Sequence, residues 1–327
     1  MAIKQIVCSG TPYEIGQIHG YHASTEISRA ITLYAKMFAR HSKLSWPEVQ
    51  DLAKDFDQLI RDRWPRVILA LYHDSGIADG SEQELINIVR TEIVFGKFSD
   101  GCTSLYYRDR HSETKDAQAK NLIQLTLVQK DLPVIKMITE AGLIGKIGLN
   151  SAGVGVCFNA IRAKGLNKSY ILVHLGLRIT LESRLALQAV KSLKSIGIAS
   201  SAHMLISNAN NAVRLEFMAL IFSHIPVDMM GFIAHLNHML LPHAGINEPA
   251  WLADSLVRVA TVGENIKSLG GKLDQERFSE LFRDKTGFPC LINRATSEGS
   301  DIATLAVVVM GRPSDEEAER VVLELDR

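Results

Sequence analysis

The chain has 327 residues, 46% of them hydrophobic, enough for one large domain or two modest ones with a sizeable core. Lys and Arg together number 36, and so do Asp and Glu, so no charge excess points to nucleic acid or to an anionic membrane surface. Four scattered cysteines, at 8, 102, 157 and 290, offer no CxxC pair and no disulfide or zinc framework, which is the usage expected of a reducing compartment.

Met1 to Gln5 carries no apolar leader, and no run of about 18 apolar residues suggests a membrane span. Leu325-Asp326-Arg327 is not a Ser-Lys-Leu type peroxisomal address. The expected location is the cytoplasm.

In chain order, Ile3 to Cys8 predicts a short strand, and Ser9-Gly10-Thr11-Pro12 a turn. Ile27, Ala30, Ile31, Tyr34, Met37 and Phe38 recur at helical spacing, which predicts a helix over 24–42. Ser45-Trp46-Pro47-Glu48 is a capping box that opens a second helix, with Val49, Leu52, Phe56, Leu59 and Ile60 on its buried face. A further helix is expected over 66–74. Ser81 and Glu84 form another box, for a helix running to Phe95. Residues 1–101 therefore read as a mainly helical part and 102–327 as a second part.

The texture changes at Asp100-Gly101-Cys102-Thr103-Ser104. Strands are expected over 103–108, 122–129, 133–139, 145–149 and 153–158, with a polar hairpin tip over 109–120. Sequential hairpins predict an antiparallel sheet. Helices are expected over 169–184 and 185–196, and strands near 202–207, 212–217 and 232–236. Helices over 251–268 and 273–284 and strands over 301–310 and 321–325 complete the pattern. Strands, helices and strands in this order suggest packed sheets covered by helices.

Three residues carry chemistry. Cys102 is either a small buried hydrophobe or a nucleophile. If the Gly101–Cys102 bond were cut, the new α-amino group, with a reference pKa of roughly 7.7–8.0, could act as base for its own thiol. Asn237 lies in His235-Leu236-Asn237-His238, with His243 beyond. The plain reading is a turn with exposed imidazoles, and a metal reading has no carboxylate or cysteine cluster behind it. The sharper reading makes the Asn237 amide an oxyanion donor. Arg294 is either a surface residue at a strand end or a cation that binds a substrate carboxylate or orders the site. The glycine-rich run Gly142 to Gly148 lacks GxxxxGK[ST] and is better read as a hairpin where backbones approach closely.

Longer motifs connect these residues. They are Gly10-Thr11-Pro12-Tyr13-Glu14-Ile15-Gly16 with His19-Gly20, Arg90-Thr91-Glu92-Ile93, Asp100-Gly101-Cys102-Thr103, and the run from Ile138 through Thr139-Glu140-Ala141-Gly142 to Gly153-Val154. Phe158-Asn159-Ala160, Leu181-Glu182-Ser183, Leu215-Glu216-Phe217, His235-Leu236-Asn237-His238 and Gly311-Arg312-Pro313 add to them. With these the chain resembles, over nearly its whole length, the acyl-coenzyme A:6-aminopenicillanate (isopenicillin N) acyltransferases of the Ntn-hydrolase superfamily.

The resemblance implies an α+β fold, the αββα sandwich of two packed, mainly antiparallel sheets covered by helices. It implies a precursor that cuts itself at Gly101–Cys102 and whose two subunits stay together as a heterodimer. Carried over by position, Cys102 is nucleophile and α-amino base, Asn237 the oxyanion-hole asparagine, and Arg294 a substrate-binding or site-ordering arginine. An acyl group from acyl-CoA or isopenicillin N would pass through a Cys102 thioester to 6-aminopenicillanate or a related amine. No cofactor or metal is implied, because acyl-CoA enters as substrate. Transfer requires an amine pocket that excludes water. Hydrolysis of a non-β-lactam amide and a catalytically silent paralogue are the alternatives. One departure bears on them. The interval from Cys102 to Asn121 is shorter than the family's, and its Gly-x-Asn-Trp-Asp type motif is missing. Asp109, Glu113 and Asp116 are the acids in that interval.

Overall fold

Burial alternates in β1 (Lys4–Ser9), as the pleat requires: Ile6 and Cys8 point inward, and Val7 between them faces outward although it is apolar. In the computed structural model the described residues are 3–39, 43–51, 60, 62, 120–161, 163, 167–218, 221–225, 234–243, 248, 254–269, 280, 306–311 and 320–325. Cys102, Gly101 and Arg294 lie outside them. So do the expected helices over 66–74 and 81–95, the expected strand over 103–108, and all but residue 280 of the expected helix over 273–284.

The expected turn at Thr11-Pro12 is instead the start of α1 (Pro12–Met37). Thr11 caps it. The Glu14 carboxylate accepts from the Thr11 amide at 2.7 Å and hydroxyl at 2.8 Å, and the Glu14 amide donates back to Thr11 Oγ1. Pro12 fits the first turn because its missing N–H would have no partner there. Ile15, His19, Ala23, Ile27, Ala30, Tyr34 and Phe38 form one buried stripe at helical spacing. Of the expected Ser45–Glu48 capping box, the Glu48 carboxylate accepts from the Ser45 amide at 2.7 Å and its hydroxyl at 2.6 Å, and residues 46–51 are helical.

The sheet has eight strands in sequence order, from β1 through β2 (Leu122–Val128), β3 (Ile135–Glu140), β4 (Ile147–Asn150), β5 (Gly155–Ala160), β6 (Ala202–Ser207) and β7 (Ala212–Met218) to β8 (Ile221–Ile225). From β2 onward each neighbour is antiparallel, as hairpins require. β1 departs from this and lies parallel to β2, Lys4 opposite Ile123 through Ser9 opposite Val128. The expected strand near 232–236 is corrected. Residues 234–236 are irregular, and β8 at Ile221–Ile225 fills the edge beside β7. β9 (Ala306–Gly311) and β10 (Arg320–Leu325) form a separate antiparallel pair.

Two helices, α2 (Val173–Glu182) and α3 (Ala186–Ile196), follow β5. They pack over β4 to β7. Backbone approach is closest at Gly145, where a Cβ would stand 2.1 Å from the His174 carbonyl oxygen and 2.8 Å from the Arg178 nitrogen. The close approach expected of the glycine run is therefore made partly to a helix. Asn150 locks the same region. Its Nδ2 donates to the Leu181 and Ser183 carbonyls at the end of α2, and its Oδ1 accepts from the Ala152 and Val154 amides. All four hydrogen-bonding places of a buried amide are thus filled. Among the described residues no helix is long and apolar enough to cross a membrane.

Candidate functional site

Polar residues are rare in a buried strand, so a row of them needs an explanation. Asn159 on β5 faces His203 on β6, His203 faces Glu216 on β7, and Glu216 faces Ser223 on β8. Alternation puts the four on one face, while Phe158, Met204 and Leu215 turn to the other with the core. The polar row is the floor of the candidate site.

Residues 234–243 lie against this floor. Glu216, with no exposed surface, accepts at Oε1 from His235 Nε2 at 2.8 Å and at Oε2 from His243 Nε2 at 2.6 Å. The Leu240 amide donates to the same Oε1 at 2.6 Å. Burial works against ionising Glu216, but the hydrogen bonds from His235, Leu240 and His243 outweigh it and hold the carboxyl at about 2. The His235 ring stacks on His203 with centroids 3.5 Å apart. His203 Nδ1 lies 3.0 Å from Asn159 Oδ1. Burial, then the charges of His235 and Arg214, hold His203 well below the ordinary imidazole range. Arg214 donates to the Ala234 carbonyl at 3.0 Å.

The imidazoles are thus not exposed on a turn, as the plain reading of this segment had it. The side chains of His235 and His243 are almost wholly buried, and each is aimed at a carboxylate oxygen. Among the described residues no group of His, Cys, Asp and Glu is arranged to hold a metal ion.

Asn237 is fully buried. Its backbone amide donates to Ser255 Oγ at 2.9 Å, and its Nδ2 donates to the Ala160 carbonyl at the end of β5 at 3.2 Å. Its Oδ1 accepts from Arg258 Nη2 at 3.2 Å. Ser255 and Arg258 are one turn apart on α4 (Asp254–Leu269). His238 Nδ1 also lies 2.7 Å from Ser255 Oγ. An amide nitrogen carries two hydrogens. One goes to Ala160, and the second has no acceptor among the described residues.

Sequence reasoning singled out Asn237 but not the residues that hold it. Glu216 appears in a motif without a role, and Arg258, Ser255 and His203 not at all. The available signal is a charged or polar residue on an element's apolar side. In α4 Ser255 and Arg258 are buried while Leu256 and Val257 are exposed. Of the two cysteines described, Cys8 is buried, and burial pushes the Cys157 thiol up to about 11. Neither is a good nucleophile.

The sequence matches a family model described as acyl-coenzyme A:6-aminopenicillanic acid acyl-transferase over residues 103–322. It is also similar to the acyl-coenzyme A:6-aminopenicillanic-acid-acyltransferase 40 kDa form of Emericella nidulans. The two are 36% identical over 339 residues, covering 95% of this chain and 93% of that protein.

Proposed function

This chain belongs to the acyl-coenzyme A:6-aminopenicillanic acid acyltransferase family, and from that premise we propose that it is a self-processing acyltransferase that uses Cys102 as an N-terminal nucleophile. The observation that carries this reading is the 36% identity to the Emericella nidulans enzyme across 95% of the chain. In this reading the Gly101–Cys102 bond is cut, and the freed α-amino group takes the thiol proton. The thiolate adds to the carbonyl of an acyl-CoA or of isopenicillin N, and Asn237 Nδ2 donates to the oxyanion that forms. Such a donor is worth roughly 3 kcal/mol of barrier. The leaving thiol or amine departs with a proton, which leaves a Cys102 thioester. The amine of 6-aminopenicillanate then displaces Cys102 to give the amide. Arg294 serves as the cation for a substrate carboxylate.

Several contacts support two subunits that stay together after the cut. β1 is a strand of the same sheet as β2. Tyr34 donates to Glu140 at 2.6 Å, Arg29 to Asn121 at 3.0 Å, and the Gly142 amide to His19 Nε2 at 3.1 Å, each across the proposed boundary. We also take the eight-stranded sheet as one layer of an αββα sandwich and β9–β10 as part of the other. Support comes from β3, buried over nearly its whole length, and therefore on both faces.

The test is incubation of purified protein with an acyl-CoA and 6-aminopenicillanate. Free CoA together with acylated 6-aminopenicillanate is the expected result. CoA release without transfer would make the chain a hydrolase. The absence of both would favour the silent paralogue, which the missing Gly-x-Asn-Trp-Asp motif also favours.

A further inference from the structure

We infer that Arg258 is a positioning residue that fixes and polarises the Asn237 amide, an inference that rests on the oxyanion role proposed for Asn237. An asparagine side chain fits its site in two orientations of nearly the same shape, and its partners decide between them. A guanidinium is a donor at every nitrogen, so the atom facing Arg258 Nη2 at 3.2 Å must be Oδ1. A carbonyl accepts only, so the atom facing Ala160 at 3.2 Å must be Nδ2. The two partners agree, and between them they leave a single orientation. The flipped amide would set Nδ2 against a cation and Oδ1 against a carbonyl oxygen.

The charge acts as well as the geometry. Arg258 is 3% exposed and Asn237 has no exposure, so little solvent screens the contact. A cation at Oδ1 draws electron density from the amide, and its N–H groups become stronger donors. The affected hydrogen includes the one that Ala160 does not take. Ser255, one turn earlier on α4, holds the Asn237 backbone amide, so the same helix fixes both ends of the residue. Misplacing a catalytic group by about 1 Å can cost about 10²-fold in rate. That is the scale on which Arg258 should matter.

The experiment is a double-mutant cycle of Arg258→Met with Asn237→Ala, read by acyl transfer to 6-aminopenicillanate. Arg258→Met is expected to lower kcat roughly 10–100-fold with KM changed less than about threefold, and to have no further effect in the Asn237→Ala background. Equal losses in both backgrounds would overturn the inference and leave the Asn237 role intact. Near-normal turnover by Asn237→Ala would instead remove the oxyanion reading itself. Arg258→Lys keeps a buried cation and removes the planar fork, so the same cycle run with it serves if the Met variant does not fold. A second readout needs no turnover. With 15N-labelled asparagine, the side-chain NH2 pair that vanishes in Asn237→Ala belongs to Asn237. Arg258→Lys is expected to shift that pair, and an unmoved pair contradicts the inference.

Discussion

Glu216 and His235 meet at 2.8 Å across two segments of chain, β7 and the segment that follows β8, with almost no surface of either side chain exposed. The same carboxylate also holds His243 and the Leu240 amide, so one acid fastens the segment that carries Asn237. A buried, multiply bonded acid costs much when removed, because its partners are left without an acceptor. Glu216→Ala is expected to lower stability by about 3 kcal/mol in urea denaturation. A loss below about 1 kcal/mol would mean that other contacts hold the segment.

The pH dependence follows from the same cluster. Burial and the His235 charge lower His203, while burial, partly offset by Glu216, lowers His238. As pH falls below the ordinary imidazole value of 6.5, the unfolded chain therefore binds protons that the folded one refuses. Stability then falls as pH drops, at no more than about 1.4 kcal/mol per pH unit for a histidine that stays neutral in the folded chain. Thermal midpoints should decline from pH 7.5 to about 5.5, and His203→Gln should make that decline shallower. An equal slope in the variant would show that His203 is not kept neutral. Glu216 acts in a lower window. Its folded value of about 2 lies below the ordinary 4.5, so its contribution is present above 4.5 and is lost as pH falls toward 2.

At Gly145 the space is set by α2. Gly145→Ala would place a methyl carbon 2.1 Å from the His174 carbonyl oxygen, so helix or turn must shift. Overpacking of this kind is expected to cost about 2 kcal/mol. Calorimetry of the variant checks it, and an unchanged melting temperature would mean that the helix yields freely.

For Asn237→Ala the expected result is a folded protein whose acyl transfer falls roughly 10²–10³-fold. Initial rates with circular dichroism as a folding control decide it. Near-normal rates would remove the oxyanion role.

Local signals made much of the fold legible. The capping box at Ser45 and the strands and helices from 122 to 218 were read from period and turn residues. The start of α1 was missed although Thr11 and Glu14 carry the same box, because Thr11-Pro12 after a glycine also reads as a turn. The parallel pairing of β1 with β2 has no local signature, since more than a hundred residues separate the partners. Site residues followed the same division. Asn237 stands out in its own motif and again in the resemblance, but Glu216, His203 and Arg258 gain their meaning from strands and a helix that meet only in the folded chain. The run from Ile138 to Val154 was legible as a signature. Its observed work is structural, as Asn150 closes the end of α2 and Gly145 lets that helix approach.

The central claim is that Cys102, freed as an N-terminal residue, carries the acyl group. The most direct measurement is the intact mass of the protein after brief mixing with an acyl-CoA. Two polypeptides are expected, one ending at Gly101 and one beginning at Cys102 and heavier by one acyl group, whereas Cys102→Ala should stay largely uncut and carry no acyl group. A single uncut chain of 36.1 kDa without added mass would contradict it.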